Sequence, residues 1–369
     1  MKIEIEKKDL MGLIGKTQNI VEKRNTMPIL VNVLLEAEND HLKVFATDLE
    51  VSLTDSSKCR VLQPGKVAVS AKSLFEIAKE LSEAPIQLLK KDNNWLEMKQ
   101  GKYTSKIVGI SAEEYPIFPA YTGKGFLKIP AETLKDMIDK TIYSVSNDET
   151  RYHLNGVYFE QRADSGYTMV ATDGHRLSLI NKQLPATQLL ATGQGVIIPR
   201  KGLHEIKKLL ESLGGEFEIA IEGSQLIVRH LSTTLMIRLI EGKYPNYSQF
   251  IPTKLRQKIR INREAFLTSL KRVSLLANAK SKAITLTVSN GRMEIASNNP
   301  ELGDAKEEIE VGFDGPDLKI GFNAKYVQDV LTAIQDEEVD FEINDQLSPG
   351  LIRPHNDPNY TCVVMPMRI

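Results

Sequence analysis

The chain has 369 residues, 41% hydrophobic and 26% charged, with a formal net charge of −1. That composition is ordinary for a globular protein. It contains no apolar run near the ~18–20 residues that cross a bilayer and no charged-then-apolar leader, so the cytoplasm is the expected compartment. Cys59 and Cys362 lie far apart without paired spacing, and the six histidines are scattered. A structural disulfide, a metal centre and a cofactor are therefore not expected.

The N-terminal stretch KIEIEKKDLMGLIGKTQNIV, from Lys2, reads as a strand followed by an amphipathic helix. Leu10, Leu13, Ile14, Ile20 and Val21 form its apolar stripe. Asn39-Asp40 then breaks two alternating runs, which predicts a hairpin. A second strand and helix follow in VAVSAKSLFEIAKEL from Val67. Tyr115-Pro116-Ile117-Phe118-Pro119 predicts a stiff extended joint, since proline fixes φ and removes a donor; its aromatics are expected to pin one domain on the next.

The pattern restarts at Leu127 with LKIPAETLKDMIDKTIYSVS, where Leu134, Met137, Ile138, Thr141, Ile142 and Val145 form the stripe. A hairpin is expected at Asp164-Ser165-Gly166, and VIIPRKGLHEIKKLL from Val196 supplies the second strand and helix. A second joint runs from Tyr244-Pro245 through Pro252. The third restart, around Arg260-Ile261, carries Phe266, Leu270, Val273 and Ala277, then Asn290-Gly291 and KIGFNAKYVQDVLTAI from Lys319. The chain closes on Val363-Val364-Met365-Pro366-Met367-Arg368-Ile369. Such a Met- and Pro-rich end reads either as a last strand with a frayed terminus or as the wall of an adaptable pocket.

These restarts are a repeat. Ala46-Thr47-Asp48-Leu49, Ala171-Thr172-Asp173-Gly174 and Ala296-Ser297-Asn298-Asn299 recur at a step of 125 residues. That period is too long for a solenoid unit and suits whole domains. The expected fold is α+β: three similar domains over 1–121, 122–252 and 253–369, each of two halves of the form strand, helix, three strands. Antiparallel sheets with helices on one face follow, and a curved array of three domains can close on a second copy.

Charge is distributed unevenly along this pattern. The six helical segments 7–25, 71–81, 131–145, 200–212, 262–280 and 323–335 hold 18 Lys and Arg against 11 Asp and Glu, or +7, leaving −8 elsewhere. Either surface helices simply favour lysine, or one wall is basic and suited to a polyanion. Two segments imitate chemistry. Gly12-Leu13-Ile14-Gly15-Lys16-Thr17 resembles the end of a phosphate-binding loop, but Leu10 occupies the place of its first glycine and the segment lies inside a helix. Asp173 and His175 suggest an acid/base pair, but no nucleophile motif accompanies them and the other two copies lack the histidine. A repeat scaffold or an enzyme using Asp173 and His175 remain the alternative readings.

Seven stretches together resemble the bacterial sliding clamp family, the DNA polymerase III beta subunits, over essentially the whole length. They are Thr26-Met27-Pro28-Ile29-Leu30, Thr47-Asp48-Leu49-Glu50, Arg151-Tyr152-His153-Leu154-Asn155-Gly156, Ala171-Thr172-Asp173-Gly174-His175-Arg176-Leu177, Pro199-Arg200-Lys201-Gly202, Gly321-Phe322-Asn323 and Val363 through Arg368. The resemblance implies a head-to-tail homodimer whose helices line a central hole with sheets outside. Such a clamp catalyses nothing, encircles duplex DNA and confers processivity on the polymerase. Sequence-blind contacts to phosphate permit sliding where base contacts would prevent it.

By the same resemblance, Arg24, Tyr152, His153, Arg200 and Lys201 are expected to face DNA. A pocket for short linear motifs of the polymerase III catalytic subunit, the clamp loader, other polymerases and mismatch-repair or ligase-type proteins is expected from Leu154, Thr172, Gly174, His175, Arg176, Leu177, Pro245, Phe250, Asn323, Tyr326, Val364, Met365, Pro366, Met367 and Arg368. Leu275 and Leu276 are expected to meet the partner near Ile107. No membrane partner is implied.

Overall fold

The computed structural model describes residues 1–21, 27–123, 125–162, 166–184, 195–253 and 255–368. Among them, six α-helices occupy the predicted places: α1 (Lys7–Thr17), α2 (Ala71–Glu80), α3 (Ala131–Asp139), α4 (Arg200–Leu213), α5 (Arg263–Val273) and α6 (Ala324–Ala333). The apolar stripes are core. Leu10 and Ile14 of α1, Leu134 and Ile138 of α3, and Phe266 and Leu270 of α5 are all buried. Helix starts follow from capping side chains: Ser70 accepts from the Ser73 amide, Asn262 from Ala265, and Asn323 from Lys325 and Tyr326.

The opening helices are shorter than their stripes. The hydroxyls of Thr17 and Thr141 bond back to the carbonyls of Ile14 and Met137, both at 2.7 Å, which competes with continued helical bonding. Short 3₁₀ turns follow at Ile142–Ser144 and Ser274–Leu276. The shortening weakens the charge argument. The observed helices hold 14 Lys and Arg against 10 Asp and Glu, so their excess is +4 rather than +7, and α3 is itself acidic.

The half-unit pattern is present six times. Within each copy, the opening strand of one half pairs with the first strand after the helix of the other half. In the first copy Lys2–Ile5 pairs with Ile86–Lys90, and Gly65–Ser70 with Asn32–Glu38. The second and third copies repeat both pairings. All the ladders are antiparallel, as the alternating strands require.

Sheets also run across copies, and this divides the described chain into two compact units. One holds residues 1–132 and 201–239; the other holds 133–184, 195–200 and 240–368. The middle copy contributes to both. Its Thr233–Arg238 pairs with Val51–Lys58 in a nine-stranded sheet of the first unit. Its Arg176–Gln183 pairs with Tyr360–Val364 in a twelve-stranded sheet of the second.

The joints are anchored on both sides by their aromatics. The Tyr115 hydroxyl donates toward the carbonyls of Asn32 and Phe45, and the Tyr244 ring stacks on Tyr158 at 4.9 Å, so each tyrosine holds its joint to the copy it leaves. Aromatics of both joints also reach forward: Phe118 and Tyr121 pack beside Ala220, Ile227 and Met236 of the second copy, and Tyr244 shares a cluster with Leu351 and Val363 of the third.

Candidate functional site

The repeated phrase folds as a turn. Asp48 accepts the amides of Glu50 and Val51 on Oδ1, and Asp173 accepts those of His175 and Arg176. The preceding threonines do the same one residue earlier, Thr47 with the Leu49 amide and Thr172 with the Gly174 amide. Short polar side chains closing their own backbone are the usual device of such turns. In the third copy the carboxamide that accepts is that of Asn299, from Glu301. The structural step is therefore 125 and then 126 residues; the phrase at Ala296 is offset by one. The Asp173 carboxylate is committed to this turn, with Oδ2 taken by Arg176 Nε at 3.1 Å. Its neighbour His175 stacks on Tyr326 at 6.3 Å. This is a fixed corner, and the carboxylate that an acid/base pair would use is taken up by the turn and by Arg176.

Beside the turn of the second copy lies a cleft of about 200 Å³. Its floor is apolar and buried: Leu154, Leu177 and Val363 belong to one cluster with Tyr244. Pro245, Phe250 and Met365 form the rim, and Phe250 and Met365 are 52% and 39% exposed. Thr172, Gly174, Arg176 and His153 complete the wall. Gly174 has φ +90°, a region that favours glycine. The chain end is held in place: the Met365 amide donates to His175 O at 2.9 Å and the Met367 amide to Gly321 O at 2.8 Å.

Arg176 fixes one side of the cleft. Its guanidinium reaches Asp173, Asp329 Oδ2 (2.6 Å) and the Tyr143 carbonyl, and stacks over Tyr326 at 4.6 Å. Five rigid donors in one plane suit this arrangement, which an ammonium cannot copy.

Eight predicted pocket residues line this cleft: Leu154, Thr172, Gly174, Arg176, Leu177, Pro245, Phe250 and Met365. His175 and Tyr326 do not line the cleft: the Arg176 guanidinium lies over the Tyr326 ring, on which the exposed His175 stacks, and Asn323 caps α6. Val364, Pro366, Met367 and Arg368 do not line it. The valine facing the cleft is Val363, because the register sets Val363 opposite Leu177 and the strand alternates. His153, expected to face DNA, lies in the wall of the cleft.

The other expected DNA-facing positions differ among themselves. Arg24 lies outside the described residues. Tyr152 is 57% exposed. Arg200 is committed inward: it donates to Asn147 and to the Val145 carbonyl, and burial, then the nearby Arg176 charge, pulls its pKa below the usual guanidinium value. Lys201 pairs with the buried Asp48 carboxylate at 2.6 Å. Of the expected dimer residues, Leu275 is 78% exposed and Leu276 half-buried. Ile107 points into the first copy's core, opposite Leu96.

Known proteins match this architecture end to end. The N-terminal, central and C-terminal domain models of the DNA polymerase III beta subunit match residues 1–119, 128–246 and 248–368. The beta sliding clamps of Caulobacter vibrioides and Pseudomonas aeruginosa are 33% and 32% identical, each over 100% of both chains. Among solved structures, the DNA polymerase sliding clamp from Caulobacter crescentus superposes with a TM-score of 0.95 at 32% identity, covering 100% of both chains. The clamp from Bartonella birtlesii bound to griselimycin gives 0.95 at 31%, again over 100% of both. The chain belongs to the DNA polymerase III beta subunit family, the bacterial beta sliding clamps, and has their three-domain α+β fold.

Proposed function

We propose that two copies of this chain close head to tail around duplex DNA and tether the replicative polymerase to it. The domains are taken as 1–121, 122–252 and 253–369. Two sheet edges support closure: among the described residues, Tyr103–Ile107 pairs on one side only, and Gly303–Gly312 leaves most of its outer edge unpaired. Long open edges invite pairing with another chain. Retention then comes from linkage, and the tether raises the local concentration of the polymerase. No turnover is assigned, since the Asp173 carboxylate is occupied by its turn. The compartment is cytoplasmic; no helix among the described residues is long and apolar enough to cross a membrane.

The observation that carries the partner reading is the cleft at Leu177, Val363 and Met365. It has an apolar floor, a fixed arginine wall and an adaptable methionine rim, which suits short apolar motifs from several partners. Polymerase III catalytic subunit, clamp loader and repair proteins are the proposed sources of those motifs. Tyr152 and Lys201 stay as proposed DNA-facing side chains; Arg200 is reassigned to holding its own loop.

Two measurements test this. Protein loaded on a closed DNA circle should stay bound until the circle is cut; equally fast loss from closed and cut DNA would refute linkage. Removing residues 365–369 should leave the dimer intact and weaken a polymerase-tail peptide at least tenfold, about 1.4 kcal/mol. Unchanged peptide affinity would overturn the cleft assignment.

A further inference from the structure

Each copy places a cation at the same distance from the start of its opening helix. The tenth residue counted from the start of α1, α3 and α5 is Lys16, Lys140 and Arg272. In the first two copies that cation sits at a seam between sheets of successive copies. Lys16 Nζ reaches Asp55 Oδ2 at 2.5 Å and Thr233 Oγ1 at 3.1 Å, on the two strands that meet. Lys140 Nζ reaches Asp136 at 3.0 Å and lies 5.2 Å from the centre of the Tyr360 ring. Arg272 makes the first half of this contact: its Nε donates to Glu307 Oε2 at 2.8 Å. The ladder register makes Glu307 the counterpart of Asp55: Ala305 faces Ser297 as Leu53 faces Ala46, and Glu307 and Asp55 each lie two residues further on.

The strand pairings say what belongs opposite. At the two seams Leu53 faces Leu235, and Ser178 faces Cys362. Leu53 and Ser178 face Ala46 and Ala171 inside their own hairpins. Ser297 stands in that place in the third copy and faces Ala305. Across the seam, Leu235 and Cys362 pair with Val228 and Ile352, which trace back through Ile219 and Phe341 to the opening strands. The same path in the first copy runs from Ile3 through Leu88 and Met98 to Ser105. Two residues before Leu235, Cys362 and Ser105 stand Thr233, Tyr360 and Tyr103.

From this we infer that Arg272 clasps the ring of Tyr103 of a second copy, in a register that sets Ala305 opposite Ser105. The inference rests on the head-to-tail dimer reading and specifies its register. That register also sets Asp304 and Glu308 of one copy against Lys106 and Lys102 of the other. Exposure agrees with an uncovered third seam. Side chains of Lys16 and Lys140 are 23% and 13% exposed, but that of Arg272 is 58% exposed. Thr233 and Tyr360 are buried, but Tyr103 is 43% exposed. An arginine over a tyrosine face is a favourable pair, stronger once desolvated.

The register is tested by thiol pairing in full-length protein carrying Cys59→Ser. Ala305→Cys with Ser105→Cys should oxidise to a covalent dimer; Lys306→Cys with Ser105→Cys, slipped by one residue onto opposite faces, should not. Cross-linking of the slipped pair instead would overturn the register. The clasp is tested by sedimentation of Arg272→Ala, Tyr103→Ala, Tyr103→Phe and the double alanine variant. Each alanine should weaken the dimer about three- to tenfold, Tyr103→Phe should have little effect, and the double variant should be no weaker than the worse single. Additive losses, or none, would overturn the clasp. A wild-type chain that stays monomeric at all concentrations would instead overturn the dimer reading.

Discussion

Single side chains in this protein do work that their neighbours cannot replace. Arg176 holds two carboxylates, a carbonyl and an aromatic face while only 10% of its side chain is exposed. Removing one member of a buried ionic group strands the others. Arg176→Ala is expected to cost about 2–4 kcal/mol in denaturant unfolding, and Arg176→Lys to recover only part of it. Asp340 gives a pH prediction. Burial pushes its carboxyl up, but hydrogen bonds from Lys258 (2.7 Å) and His355 (2.9 Å) outweigh that and hold it below the usual carboxylate range. Its ionised form therefore stabilises the fold fully above the ordinary value of ~4, and the contribution is lost as pH falls through the lower folded value. Thermal scans below pH 5 should show a shallower acid decline for Asp340→Asn than for the parent.

At the scale of elements, the turn after Thr47 and the turn after Thr172 share one backbone and serve different ends. Leu49 takes φ +77° in the first and Gly174 takes φ +90° in the second. Leucine in that region costs about 1–2 kcal/mol, so the first turn tolerates strain that the second avoids. The absent side chain leaves the wall of the cleft open, and a Cβ at Gly174 would come within 2.8 Å of Arg151 Nη1. Gly174→Leu should lower the melting temperature only modestly and abolish peptide binding in a direct titration; retained binding would show that the occupant lies elsewhere. The seams show a similar divergence on a common plan. Lys16 with Asp55 makes the first ionic, whereas Ser178, Tyr143, Tyr360 and Cys362 make the second a chain of hydroxyl and thiol contacts.

For the whole molecule, linkage and affinity make different demands on charge. The observed helices carry only +4, and several of their cations are already paired, among them Lys16 and Lys208. Sequence-blind attraction to phosphate falls steeply with salt, so helices this weakly basic should hold open DNA poorly. Raising salt is expected to abolish direct binding to linear duplex while sparing protein already loaded on closed circles. Equal salt sensitivity of both would mean that affinity, not encirclement, keeps the protein on DNA.

The sequence by itself determined the elements and their order. Helical stripes, alternating runs and turn residues are local properties, and three copies of the same local pattern make each reading check the others. It also disclosed most of the cleft, because Thr172 through Leu177 and the chain end are distinctive as strings. What only the tertiary structure decided depends on register and on pairing across hundreds of residues. A shift of one position exchanges the two faces of a strand, which is why Val363 and not Val364 faces the cleft. The same parity assigns the third turn to Asn299, one residue beyond the phrase that marks it. The inward roles of Arg200 and Ile107 were equally hidden, since a guanidinium bonded to Val145 and a strand end packed on Leu96 leave no trace in the order of residues.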